Sequence, residues 1–252
     1  MEPARVTEEH DARLTTAAAR LQGAARVLVV TGAGVSAESG VPTFRGPEGL
    51  WRKFRPEELA TAEAFARDPR LVWEWYDWRR QKIAAVRPNP GHHAIASLEA
   101  RAATFLLATQ NVDGLHAAAG SRRQLELHGS LWTLRCVACR QERQDRRAPL
   151  PELPPRCDCG GLLRPGVVWF GEALSRDVVA ESFAAARQAE VVLVVGTSSV
   201  VYPAAALPET ARAHGAFVIE VNPEPTALTP LADVSLRGTA AEIVPVLVGG
   251  AA

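Results

Sequence analysis

The sequence predicts an α/β fold built on a parallel sheet, and three observations predict it. Residues 27–30 and 191–195 are apolar runs rich in valine with no polar member, as expected of strands covered on both faces. Each run ends in a small turn, Gly32-Ala33-Gly34 or Gly196-Thr197-Ser198-Ser199, where open α/β sheets hold ligands. Strands also alternate with helical segments along the chain, the pattern of parallel strands joined by crossovers. At 252 residues the chain can bury one substantial core and carry a small second lobe.

In order, residues 11–22 are alanine-rich, with Leu14 and Leu21 on one helical face, Asp11 as a cap and Gly23 as a stop. After the first strand, its glycine-rich turn and Leu50-Trp51-Arg52-Lys53-Phe54, helices are expected over 56–67 and 69–86. Asp68-Pro69 opens the second of these, and Pro88-Asn89-Pro90-Gly91 follows it. A helix over 92–102, a strand at 104–109, a short helix to Ala119 and a strand at 124–127 lead to His128-Gly129-Ser130. Residues 166–170 read as extended, and Ser175 and Asp177 start a helix that runs to Ala189. A helix over 204–214, a strand at 217–221, a strand near 233–236 and a helix near 240–248 follow the second valine run. The chain has no internal repeat and no low-complexity tract.

Composition narrows the function. Twenty-eight basic and 28 acidic side chains cancel, so nothing points to nucleic acid or an anionic membrane as a partner. No apolar stretch approaches the roughly 18 residues that a membrane span needs. The opening residues carry Glu2, Glu8, Glu9 and Asp11 and lack a signal-peptide core, so a cytoplasmic protein is expected. Nothing in the sequence requires a partner subunit, and a monomer is compatible with it.

All four cysteines fall in one short segment, Cys136-x-x-Cys139 and Cys157-x-Cys159, with 17 residues between the pairs. Four thiolates so grouped suit a tetrahedral zinc with every position filled, which is a structural site. The second pair is tighter than the usual spacing, and Gly160-Gly161 can supply the sharp turn it needs.

The first turn extends into GAGVSAESGVPTFRG, residues 32–46. Gly32 and Gly34 allow close backbone approach to a ligand, Ser36 and Ser39 offer hydroxyls, and such a turn aims N–H groups at a phosphate. The dinucleotide fingerprint is imperfect here, because Ala37 stands where a third glycine is preferred and no acidic residue follows a strand about 20 residues on. These residues alone also fit, less well, a strand turning tightly into a helix without a ligand. Likewise, Tyr76 and Arg79 share one helical face, a spacing that also describes a packed Tyr beside a solvated Arg. A single histidine such as His128 is as readily structural as catalytic, and His92, His93, His116 and His214 read as structural.

Taken together, GAGVSAESGVPTFRG, Gln110-Asn111-Val112-Asp113, His128-Gly129 and the four cysteines resemble the sirtuins, NAD-dependent protein deacylases. The resemblance runs from the first strand to the closing helix. It implies a Rossmann-like NAD-binding domain of residues 1–50, 88–130 and 165–252, with a small helical and zinc-binding domain of 51–87 and 131–164. It implies that His128 draws a proton from the cofactor ribose, that Asn111 and Asp113 hold nicotinamide and that Gln110 orients the ribose. Further NAD contacts implied are Gly32, Ala33, Gly34, Ser36, Phe44, Arg45, Gly196, Thr197, Ser198, Asn222, Pro223, Glu224 and Ala240. Val168, Trp169, Phe170, Gly171 and Glu172 match the segment along which sirtuins pair an acyl-lysine peptide as an added strand.

Tyr76, Arg79, Ala60 and Ala64, with Thr43 where many sirtuins carry Asp, resemble the class III branch that removes succinyl and malonyl groups. In that branch Tyr and Arg bind the acyl carboxylate, and small residues widen the pocket. The expected products are deacylated lysine, nicotinamide and O-acyl-ADP-ribose. Rival readings are ADP-ribose transfer to protein and a non-catalytic NAD-sensing zinc module.

Overall fold

The protein is described by a computed structural model that covers residues 3–44 and 55–249. Its strands are β1 (Arg26–Thr31), β2 (Thr104–Thr109), β3 (Gln124–Glu126), β4 (Gly129–Cys136), β5 (Glu142–Gln144), β6 (Leu163–Val167), β7 (Val191–Val195), β8 (Phe217–Val221) and β9 (Val234–Leu236). The helices are α1 (Pro3–Gly23), α2 (Pro56–Leu59), α3 (Ala62–Arg67), α4 (Pro69–Ala84), α5 (Pro90–Glu99), α6 (Leu115–Ala118), α7 (Arg176–Gln188), α8 (Ala206–Ala213) and α9 (Ala240–Val248). Six strands form a parallel sheet in the order β3-β2-β1-β7-β8-β9, as the valine runs and the alternation predict. Among the described residues no helix is long and apolar enough to cross a membrane.

The two-residue period of β1 builds two cores at once. Val27 and Val29 pack with Leu21, Ile95, Leu98, Val244 and Leu247 of α1, α5 and α9. Leu28 and Val30 pack on the other face with Ala186, Leu207 and Ala211 of α7 and α8. Each such buried Val, Leu or Ile side chain contributes about 1.5–3 kcal/mol. The chain leaves β1 for β2 on one side and adds β7 on the other, so the strand order reverses between β1 and β7. That switch point is where an open sheet leaves a crevice for a ligand.

A second, antiparallel sheet, β5-β4-β6, was not expected from the sequence. Its strand β6 contains Arg164, Pro165 and Gly166, which obscure any strand pattern, yet all five of its residues are buried. Helix α4 docks on this sheet through Trp73, whose indole donates to the Leu163 carbonyl at 2.7 Å. The fully buried Arg80 donates to the carbonyls of Leu131, Asp145 and Arg147.

Three expectations are corrected. The helix expected over 56–67 is two helices, because Thr61 adopts an extended conformation and caps α3 by accepting from the Ala64 N–H at 3.0 Å. The break leaves the Ala60 carbonyl to accept from the Phe170 N–H at 3.0 Å. The extended stretch expected at 166–170 is a strand only through Val167, since β6 starts earlier, at Leu163. Finally, α1 begins at Pro3 rather than Asp11, in keeping with the lack of any Gly or Pro between them.

Candidate functional site

A cavity of about 710 Å³ opens at the C-terminal ends of β1, β2, β7 and β8. From the sheet come Gly32, Ala33, Gly34 and Phe44 after β1, Gln110 and Asn111 after β2, Gly196, Thr197 and Ser198 after β7, and Asn222, Pro223 and Glu224 after β8. From the other side come Ala60, Tyr76, Arg79, Val168, Trp169, Phe170, Gly171 and Glu172, with His128 between the two groups. Residues from β1, β2, α4 and the loop after β6, distant in sequence, thus share one space.

The glycines are required by contact. The Gly34 N–H donates to the Gly196 carbonyl at 2.8 Å, and a Cβ on Gly34 would lie 2.7 Å from the Gly196 Cα. Gly196 itself has a φ of +62°. After Gly32 the chain makes a 3₁₀ turn, Ala33–Ser39, rather than an α-helix.

Four expected site residues lie outside the cavity wall. Ser36 and Asp113 sit behind it in a buried network, where the Ser36 hydroxyl donates to Asp113 at 2.8 Å and the Asn111 amide donates to Ser36 at 3.1 Å. Asp113 also accepts from the Leu115 N–H at 2.9 Å. Burial raises the Asp113 pKa, and these two donors and Arg79 oppose the rise. Ala64 belongs to the core beneath α4, and Ala240 is buried at the start of α9 against Gly91. Arg45, with Gly46 and residues 50–54, lies outside the described residues.

His128 is held by its backbone and its ring. Its carbonyl accepts from the Val168 N–H at 2.9 Å, and its Nδ1 lies 3.1 Å from the Gln110 carbonyl. A carbonyl only accepts, so Nδ1 carries the proton and Nε2 is the basic nitrogen. Burial lowers the ring's pKa, partly offset by that hydrogen bond, so at pH 7 the ring is neutral and able to take a proton. Gln110 also ties the two ligand loops together, donating to the Thr197 hydroxyl at 3.0 Å.

Sequence reasoning missed several participants. His92 approaches the Ser36 hydroxyl at 3.3 Å, and His116 lies 3.0 Å from the Thr31 hydroxyl. Burial pushes His92 down to about 4 and His116 down to about 3, each lowered further by a neighbouring histidine. Both folded values lie below the unfolded value near 6.5, so the unfolded chain takes up these protons first. Stability should be fully present above about pH 6.5 and fall as pH drops toward 4. Calorimetry from pH 7.5 to 5 should show a falling Tm; a flat profile would contradict a neutral buried pair. The fully buried Glu220 is another missed residue: it accepts from Thr226, Thr229 and Ser235 and pairs with Arg237 at 3.4 Å, holding the loop that carries Asn222 to Glu224.

The segment after β6 offers fewer N–H groups than its sequence suggests. Those of Val168, Trp169 and Phe170 are bonded to the His128 carbonyl, the Glu172 carboxylate and the Ala60 carbonyl. A peptide pairing here must rely chiefly on main-chain carbonyls.

Arg79 is 6% exposed, with the Phe44 ring 4.7 Å and the Trp75 ring 5.0 Å from its guanidinium carbon. Among the described residues no carboxylate lies within 4.0 Å of it. Tyr76 has its pKa pushed up to about 12, chiefly by burial, so its hydroxyl stays protonated.

The four cysteine Sγ atoms lie within 4.8 Å of one another, and none is in a disulfide. Cys136 and Cys159 are 3.5 Å apart and Cys139 and Cys157 are 3.7 Å apart, spacings that suit four ligands around one ion. A Cβ on Gly161 would come within 3.0 Å of the Cys136 Sγ, so the glycine keeps that space clear. The residues fit a zinc ion bound by Cys136, Cys139, Cys157 and Cys159.

A family model described as Sir2 family matches residues 32–203. The chain belongs to the Sir2 family. A relative from Aquifex aeolicus called NAD-dependent protein deacylase is 58% identical over 212 residues, covering 84% of this chain and 89% of that protein. NAD-dependent protein deacylase 2 of Pyrobaculum aerophilum is 58% identical over 222 residues, covering 88% of this chain and 89% of that protein. A Sir2 homologue in complex with NAD superposes with a TM-score of 0.88 at 49% identity, covering 93% of this chain and 92% of the other. A Sir2 variant with a deacetylated p53 peptide and 3'-O-acetyl ADP ribose superposes with a TM-score of 0.87 at 29% identity, covering 95% of this chain and 99% of the other. This Sir2-family chain therefore shares the sirtuin fold along nearly its whole length.

Proposed function

We propose that this NAD-dependent protein deacylase acts on acyl-lysine proteins and accepts acidic acyl groups, succinyl and malonyl, as well as acetyl. The observation that carries the choice of acyl group is Arg79, a buried cation on the cavity wall with no ion-paired carboxylate among the described residues. Its guanidinium has aromatic rings beside it and only the longer-range charge of Asp113, so a substrate carboxylate would add the charge-assisted hydrogen bonds that a buried cation favours. The neutral Tyr76 hydroxyl beside it adds a donor.

As co-substrate, NAD supplies an electrophilic ribose carbon from which nicotinamide departs. His128 would accept the ribose hydroxyl proton at Nε2, with Nδ1 fixed on the Gln110 carbonyl. Asn111 would hold the carboxamide, and Ser36 and Asp113 would fix Asn111 from behind. The turns Gly32-Ala33-Gly34 and Gly196-Thr197-Ser198 would receive the phosphates, and Asn222, Pro223 and Glu224 would receive the adenine ribose. Phe44, with Arg45, would cover the reacting carbon, and Ala240 would support the adenine end. Val168 to Glu172 would bind the peptide.

In this reading NAD and peptide meet between a Rossmann-like domain (1–50, 88–130, 165–252) and a small domain (51–87, 131–164), in a cytoplasmic protein. The test compares succinyl- and acetyl-lysine peptides for the wild type and Arg79→Met. Losing one partner of a buried charged contact costs about 3 kcal/mol, so the succinyl-to-acetyl ratio of kcat/KM should fall about 100-fold. Equal losses on both peptides would contradict a carboxylate contact.

A further inference from the structure

Arg79 is not alone in shaping the end of the cavity that would take the acyl group. Trp169, 3% exposed and on the cavity wall, donates its indole N–H to the Tyr76 hydroxyl oxygen at 2.9 Å. We propose that Trp169 is a positioning residue for acyl selectivity, fixing the Tyr76 hydroxyl so that its single proton is presented to the acyl carboxylate. This rests on the acidic-acyl reading above.

An indole N–H is a donor only, so in this bond the Tyr76 oxygen accepts. The phenol proton is then left over, and among the described residues no acceptor takes it. The loop holds Trp169 firmly. Its main-chain N–H donates to the Glu172 carboxylate at 2.9 Å, Glu172 pairs with Arg164 at 2.5 Å, the Arg164 guanidinium carbon lies 3.4 Å from the indole ring centre, and the Phe65 ring is 5.4 Å away. The segment that would carry the peptide backbone is thereby joined to the group that would recognise the acyl end. With the Tyr76 oxygen already accepting from Trp169, Tyr76 and Arg79 present donors to the acyl end, which matches a carboxylate and gives nothing to an acetyl methyl.

The experiment measures the succinyl-to-acetyl ratio of kcat/KM for the wild type, Trp169→Phe, Tyr76→Phe and the double variant. A further form carries benzothienylalanine at position 169, a sulfur isostere that keeps the ring volume and lacks the N–H. Trp169→Phe and the isostere should each lower the ratio about tenfold, through a higher KM for the succinyl peptide. In the Tyr76→Phe background, changing Trp169 should leave the ratio where Tyr76→Phe sets it. An unchanged ratio with the isostere, or independent losses that multiply in the double variant, would overturn the positioning role alone. A wild type indifferent to the acyl carboxylate would overturn the acidic-acyl reading and this inference with it.

Discussion

His128→Ala should lower kcat/KM for an acyl-lysine peptide by about a thousandfold, the middle of the range for loss of a general base. The expectation follows from the ring's tautomer. With Nδ1 donating to the Gln110 carbonyl, the unprotonated Nε2 is the nitrogen left to accept a ribose proton, and burial keeps the ring neutral at pH 7. The same geometry sets the acid limb of the wild-type pH profile. A depressed pKa means that the competent neutral form persists below pH 6.5, so activity should fall off only under that value. His128→Ala should abolish that limb in whatever activity remains, and stopped-flow or steady-state profiles would show it. A variant that keeps more than about a tenth of the wild-type kcat/KM would remove His128 from the chemistry.

Removing zinc should be the most damaging change to stability. Structural zinc sites supply about 10–16 kcal/mol of apparent binding energy in small isolated domains, and part of that is folding energy here. Cys136 ends β4 and Cys139 follows it, while Cys157 and Cys159 precede β6. His128 directly precedes β4 and Val168 directly follows β6, where the two bond through their backbones, and Arg80 of α4 is anchored to the carbonyls of Leu131 in β4 and Asp145 just after β5. Chelation, or Cys139→Ser, should therefore lower Tm by about 10 °C and abolish turnover. Elemental analysis should find one zinc per chain, lost in step with the fall in Tm. Four freely titrating thiols in a fully stable, active protein would contradict the assignment.

The sheet was legible because its strands are buried on both faces. Residues 27–30 and 191–195 have no polar member, and the strand expected at 104–109 is found there unchanged. The second sheet was hidden by Arg164, Pro165 and Gly166, whose burial depends on partners such as Glu172 and Thr133 that sequence cannot assign. The break at Thr61 was hidden in an alanine- and glutamate-rich stretch, where propensity favours continuing the helix and a single capping bond decides against it. At the site, Gly34 and Gly196 were identifiable one by one, but their mutual contact is a property of neighbouring strands. Ser36, His92 and Asp113 meet only in the fold, as do Tyr76 and Trp169, which are 93 positions apart. Glu220 stands out against an apolar strand, and its partners Thr226, Thr229 and Ser235 explain it only once the loop closes over it.

The most direct measurement is product analysis by mass spectrometry after incubating the purified protein with NAD and a succinyl-lysine peptide. A cleft in which NAD is cleaved with acyl transfer predicts equal amounts of nicotinamide, deacylated peptide and O-succinyl-ADP-ribose, all lost in His128→Ala. A peptide that keeps its acyl group and gains the mass of ADP-ribose would contradict the account.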